Sequence, residues 1–86
     1  MLNPIHQEND FEFFFSTEDS LHPLVYALRK EGFVAVYLGS PSHTLPVILT
    51  YGNLSPEKAE LALKCIIRNQ ERFMAEWKAI HRTLER

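Results

Sequence analysis

Apolar residues recur along the last third of the chain at alternating spacings of four and three. Ala59, Leu63, Ile66, Phe73, Trp77, Ile80 and Leu84 form one stripe, with Gln70 the polar member of the column. That period belongs to an amphipathic helix. Its start is marked by Ser55 as N-cap, Pro56 at the first helical position and Glu57 in the first turn, where the helix dipole favours an acid. No Gly or Pro interrupts residues 57–86. The pattern predicts one long helix over about residues 55–84, about 45 Å in length at 1.5 Å per residue. A chain of this size is about 25 Å across, twice a radius of gyration of about 12–13 Å. The far end of the helix must therefore bend back, fray or pack on another chain.

The pattern upstream has the shorter period of strands. Phe-Glu-Phe-Phe-Phe at 11–15 is an aromatic strand, followed by a polar turn at 16–20. Phe-Val-Ala-Val-Tyr-Leu at 33–38 is a second strand, closed by Gly39, and 40–44 reads as a loop. Residues 45–51 form a third strand or extended segment, in which Pro46 points to a sheet edge or limits regular pairing to the residues after it. Residues 21–32 fit two readings. Ser20 as cap, Pro23 in the first turn and Gly32 at the end describe a short helix. A strand at 24–28 joined to 33–38 through Arg-Lys-Glu-Gly describes a hairpin. Local propensity favours the helix. Residues 1–10 are polar and acidic and predict a flexible lead-in. The fold class expected is α+β: a small antiparallel sheet of three to four strands over 11–52, packed against one long C-terminal helix, in a single domain spanning 11–86.

Composition adds limits. With 86 residues there is one core, and six Phe, three Tyr and one Trp can supply most of it. The single Cys65 allows no internal disulfide and no all-cysteine metal site, and its apolar neighbours mark it as a small buried thiol. No secretory signal and no apolar run of about 18 residues is present, so cytoplasmic location and no membrane contact are expected.

The net charge of −2 is unevenly spread. Residues 1–54 hold Glu8, Asp10, Glu12, Glu18, Asp19 and Glu31 against Arg29 and Lys30. The helix holds Lys64, Arg68, Arg72 and Arg82 among its bases. These four are candidate phosphate contacts of a nucleic-acid surface or an RNase-like toxin. Interleaved glutamates, with Glu60–Lys64 and Arg72–Glu76 at helical spacing, describe an ordinary solvated face instead.

No constellation for catalysis stands out. His6, His22, His43 and His81 share no ligand spacing, so no metal site and no cofactor is expected. Glu18, Asp19 and His22 form a tight polar group better read as a turn. Ser40 and Ser42 beside His43 lack a strained elbow and an oxyanion hole. The overlong helix and its aromatic end point instead to a non-enzymatic interaction module. Phe73, Trp77, Ile80 and Leu84 are its candidate interface, toward a second copy in a homodimer or toward a small partner protein.

Several pieces together resemble DUF4160, a small bacterial domain of unknown function. They are Asn3-Pro4-Ile5, residues 11–16, His22-Pro23-Leu24-Val25-Tyr26, Ala35-Val36-Tyr37, Leu49-Thr50-Tyr51-Gly52-Asn53-Leu54-Ser55, and the helix from Ile66 through Trp77. The resemblance implies the hairpin reading of 21–32. It also implies a place among small proteins encoded in pairs, in toxin–antitoxin-like systems. Two histidines of the family's Pro-Pro-His-x-His-Val strand fall at Leu24 and Tyr26, so any ligand role they hold is missing from this chain.

Overall fold

The computed structural model describes residues 4–15, 23–39 and 45–84, with side chains followed as far as Ile80. Five strands form one antiparallel sheet in simple meander order: β1 (His6–Glu8), β2 (Phe11–Phe15), β3 (Leu24–Leu28), β4 (Phe33–Tyr37) and β5 (Val47–Gly52). Two helices come next, α1 (Pro56–Arg68) and α2 (Gln70–Leu84). The α+β class holds, with five strands where three to four were expected and two helices where one was.

The extra strand arises in the segment expected to be flexible. Asn9 and Asp10 both adopt left-handed backbone, with φ of 53° and 67°. They form the two-residue hairpin loop that lets Glu8 pair with Phe11 and His6 with Phe13. Asn and Asp tolerate this region because their short polar side chains bond locally. The segment 21–32 takes the hairpin alternative where it is described. Leu24 pairs with Tyr37 through to Leu28 with Phe33, across the loop Arg29 to Gly32. Cross-strand burial outweighs local helix propensity here, because Val25 and Ala27 are both fully buried.

Alternation sets the two faces of the sheet. Phe11, Phe13 and Phe15 of β2, Val25 and Ala27 of β3, and Val34 and Val36 of β4 point to one side and are buried. The helices cover that side with Ala59, Ala62, Cys65, Ile66, Phe73 and Met74, and Leu54 joins the same cluster. Phe73 is the hub of the aromatic group, with ring centroids 6.0 Å from Phe13 and 6.4 Å from Phe15. Gly32 is needed for close packing of backbone: a Cβ there would lie 2.0 Å from the Gly52 carbonyl oxygen.

The helix begins as its capping residues dictate. The Lys58 amide donates to Ser55 Oγ at 3.2 Å, and Pro56 occupies the first turn. It does not run unbroken. Asn69 leaves helical geometry at φ −110°, and its side-chain amide donates to the Cys65 carbonyl at 2.8 Å. An asparagine that bonds backbone oxygens competes with the helical ladder, which is why the run divides here. The Phe73 amide then donates to the Asn69 carbonyl and starts α2. The stripe survives the break. Gln70, its polar member, is buried and donates Nε2 to the Leu38 carbonyl at 2.8 Å. The longest dimension is 40 Å, with a radius of gyration of 12.3 Å.

Phe73→Ala removes the ring on which β2 and α2 meet. The expected loss is about 3–5 kcal/mol of unfolding free energy by chemical denaturation. A loss under about 1 kcal/mol would take Phe73 out of the core.

Candidate functional site

The polar side chains that converge in this molecule do so where β1 passes the break between the helices. The hairpin loop at Asn9–Asp10 holds β1 against β2, and Arg68 and Arg72, four residues apart on either side of Asn69, reach Glu8 and His6 of β1. His6 lies on the helix-facing side of β1. Its ring stacks near Phe13 and Phe73, with centroids 5.5 and 5.6 Å away. Arg72 donates from a guanidinium nitrogen to His6 Nδ1 at 2.8 Å. Nδ1 is therefore the acceptor nitrogen, and the proton sits on Nε2, which donates to Glu8 Oε1 at 2.8 Å. Glu8 also forms an ion pair with Arg68. Asn9 donates its side-chain amide to Cys65 Sγ at 3.2 Å.

Electrostatics agree with that proton arrangement. The His6 pKa is lowered, first by desolvation and next by the positive charges of Arg72 and Arg68, with Glu76 acting in the opposite direction. A neutral imidazole with both nitrogens engaged has no lone pair left for a metal and no site left to take a substrate proton. Cys65 is buried and receives a hydrogen bond, so its sulfur does not face solvent. Among the described residues no three His, Cys, Asp or Glu side chains gather as a metal site. What this arrangement does is clasp β1 to the helices.

The other candidate residues are dispersed. Phe73 lies wholly inside this chain's core, and Trp77 packs partly buried against the same cluster. Ile80 is 43% exposed. The side chain of Leu84 lies outside the described residues. Of the four bases, Arg68 and Arg72 are engaged with Glu8 and His6, Lys64 is exposed, and the side chain of Arg82 lies outside the described part. His22 and His43, with Glu18, Asp19, Ser40 and Ser42, also lie outside the described residues, as does the side chain of His81. Glu8, Asn9 and Asn69 were not singled out by the sequence pattern. The signal for Asn9 was present: an Asn-Asp pair immediately before an aromatic strand is a hairpin turn. Nothing local marked Glu8 or Asn69.

A second grouping is apolar. The side of the sheet away from the helices carries Phe14, Leu24, Tyr26, Leu28, Phe33 and Tyr37. Leu28 and Phe33 are 41% and 37% exposed. Register places Phe14 beside Tyr26, and Leu28 beside Phe33, across neighbouring strands. Glu12 is the charged side chain on this face, near its β1 end. No described element lies over it.

No helix among the described residues is long and apolar enough to cross a membrane. No family model matches the chain, and no curated protein and no solved structure matches it.

Protonating His6 costs more in the folded chain than in the unfolded one. Its stabilising contribution is therefore complete above the ordinary imidazole value of 6.5 and is lost as pH falls through the lower folded value. Unfolding free energy measured from about pH 8 to about pH 5 should fall below pH 6.5, by a step that His6→Gln lacks. Parallel profiles for the two proteins would show that the imidazole is not coupled to folding.

Proposed function

We propose that this protein is a non-enzymatic protein-interaction module of the cytoplasm, a divergent relative of DUF4160 that serves a small two-protein, toxin–antitoxin-like system. The observation that carries the interaction reading is the apolar face of the sheet over which no described element lies. Sheets that stand alone in water normally present a polar outer side. This one presents Phe14, Leu24, Tyr26, Leu28, Phe33 and Tyr37 there. A contiguous apolar patch rimmed by polar residues is the mark of an interaction site.

The polar cluster supports the same reading by what it is occupied with. His6, Glu8, Arg68 and Arg72 satisfy one another. The nucleic-acid alternative draws on Lys64, Arg68, Arg72 and Arg82. It has weaker support, because Glu8 offsets the charge of Arg68 and glutamates are interleaved with the bases along both helices.

A photo-crosslinking residue at position 28 should give a discrete adduct in cells, lost when Phe33→Asp is added. The same probe at Glu60, on the exposed side of α1, should give none. Absence of any adduct from position 28, with either this chain or another, would remove the face from use as a contact surface.

A further inference from the structure

β1 stands at one end of the described sheet, is three residues long, and pairs with β2 alone. It can therefore leave without breaking any other strand pair. Two sets of contacts hold it, and they respond differently to acid.

The loop end is tied by donors whose charge is fixed. Arg29 donates a guanidinium nitrogen to the Asn9 carbonyl, Asn9 donates its side-chain amide to Cys65 Sγ at 3.2 Å, and Arg68 pairs with Glu8. Guanidinium and amide donors keep their hydrogens across the whole neutral range. Asn9 and Asp10, both in left-handed backbone, make the tight loop between these anchors and β2.

The free end depends on His6. The Ile5 amide donates to the Phe13 carbonyl at 2.7 Å, and the His6 ring lies against Phe13 and Phe73. The polar bond that ties this end to α2 runs from Arg72 to His6 Nδ1 at 2.8 Å. A guanidinium can only donate, so this bond exists only while Nδ1 keeps its lone pair. The His6 side chain is 20% exposed, so a proton reaches the ring without prior opening. Once protonated, Nδ1 presents a hydrogen to the N–H of Arg72, and the bond becomes a contact between two cations.

The surroundings give that proton little compensation. Arg72 and Glu76 face the ring from α2, Arg68 from the end of α1, and Glu8 from β1 itself, while β2 presents the uncharged ring of Phe13. Burial first, then Arg72 and Arg68, hold the imidazole below its ordinary pKa, against the opposing pull of Glu76. Glu8 lies two residues away on the same strand. Its bond to Nε2 can follow His6 as the strand end moves, so it does not hold that end to the helices.

We propose that β1 is a pH-released strap: when His6 takes a proton, residues 4–7 swing away from β2 and α2 about the Asn9–Asp10 loop, while Glu8, Asn9 and the rest of the fold stay in place. Closed, the sheet ends in a short strand bearing His6 and Glu8. Open, it ends in β2, with four phenylalanines among its five residues, and the sides of the Phe13 and Phe73 rings that His6 covers meet water. The closed form is favoured fully above the ordinary imidazole value of 6.5 and gives way as pH falls through the lower folded value. The device operates whether or not the open face of the sheet binds a partner.

Hydrogen exchange of the Ile5 amide, referred to its intrinsic rate at each pH, reads the strap directly. Its protection should fall at least about threefold from about pH 7.5 to about pH 5, while amides of β3 and β4 keep theirs. Cys65 should stay unreactive to dithiodipyridine over the same range, because the core around it remains closed. Where Ile5 exchanges too fast to time, loss of the NOE between the His6 and Phe73 rings reads the same event. His6→Gln, which can bond both Arg72 and Glu8 but does not titrate, should abolish the response. Arg72→Gln should at least halve it, because a side-chain amide can turn its oxygen toward a protonated Nδ1. Unchanged Ile5 protection with the NOE retained overturns the proposal. So does a full-sized response in either variant. Loss of protection in β3 and β4 together with Ile5, with Cys65 becoming reactive, would show that acid unfolds the whole chain and that no strap moves by itself.

Discussion

Three phenylalanines on one side of β2 need a cover, and α2 supplies it by setting Phe73 among them. Phe11, Phe13, Phe15 and Phe73 are all buried, and the three of β2 lie far in sequence from the helix that covers them. Burying aromatic side chains of this size is the largest favourable term a chain of 86 residues has at its disposal. The position of α2 depends on it, and so does the bend at Asn69 that lets α2 reach β2 while α1 lies nearer β4 and β5. β1 in turn depends on α2. His6 packs its ring on Phe73 and takes a hydrogen bond from Arg72, the residue just before it.

The polar cluster is best understood as the consequence of placing a histidine at that junction. A half-buried imidazole gives up part of its solvation, and partners at both nitrogens compensate for that loss. Arg72 and Glu8 meet that need, and Arg68 balances the charge of Glu8. The result links the first strand to the last helix, residues far apart in the chain. It also pairs groups that, unpaired, would have read as chemistry: a His, a carboxylate and two arginines. At the opposite end of α1, Lys58 bonds Glu31 at 2.8 Å, and this bond holds the Glu31 carboxyl below its ordinary pKa. Both ends of α1 are thus tied to loops or strands by charged side chains. Those pairs are largely exposed, and they orient more than they stabilise.

Among the described residues, coverage of the sheet is one-sided. Two helices of 13 and 15 residues shield one face of five strands, and shield it unevenly, since Tyr51 remains half-exposed while Val34 beside it is fully buried. Among the described residues no element lies over the other face, where Leu28 and Phe33 are 41% and 37% exposed. A domain this small has too little chain to build a third layer.

Much of this was legible in the residues themselves. The capping sequence Ser55-Pro56-Glu57, the aromatic strand at 11–15, the strand at 33–38 and the edge character conferred by Pro46 are local signals, and local physics decides each of them. The helical stripe was legible as well, including Gln70 on the buried side, because a 3.6-residue period does not depend on what the stripe packs against. The sequence left 21–32 open between helix and strand, because a run of five apolar residues satisfies either until a neighbour is known. Pairing with β4 decided it. The break at Asn69 is also a tertiary matter: an asparagine in a helix can face solvent or bond the preceding turn, and only the reach of α2 toward β2 selects the second. The same holds for Phe73. Periodicity places it on the apolar stripe. It does not say whether that stripe is covered by the chain's own sheet or by a partner, since burial against either removes the same area from water. Only the folded chain, with β2 beneath the helix, assigns it to the core.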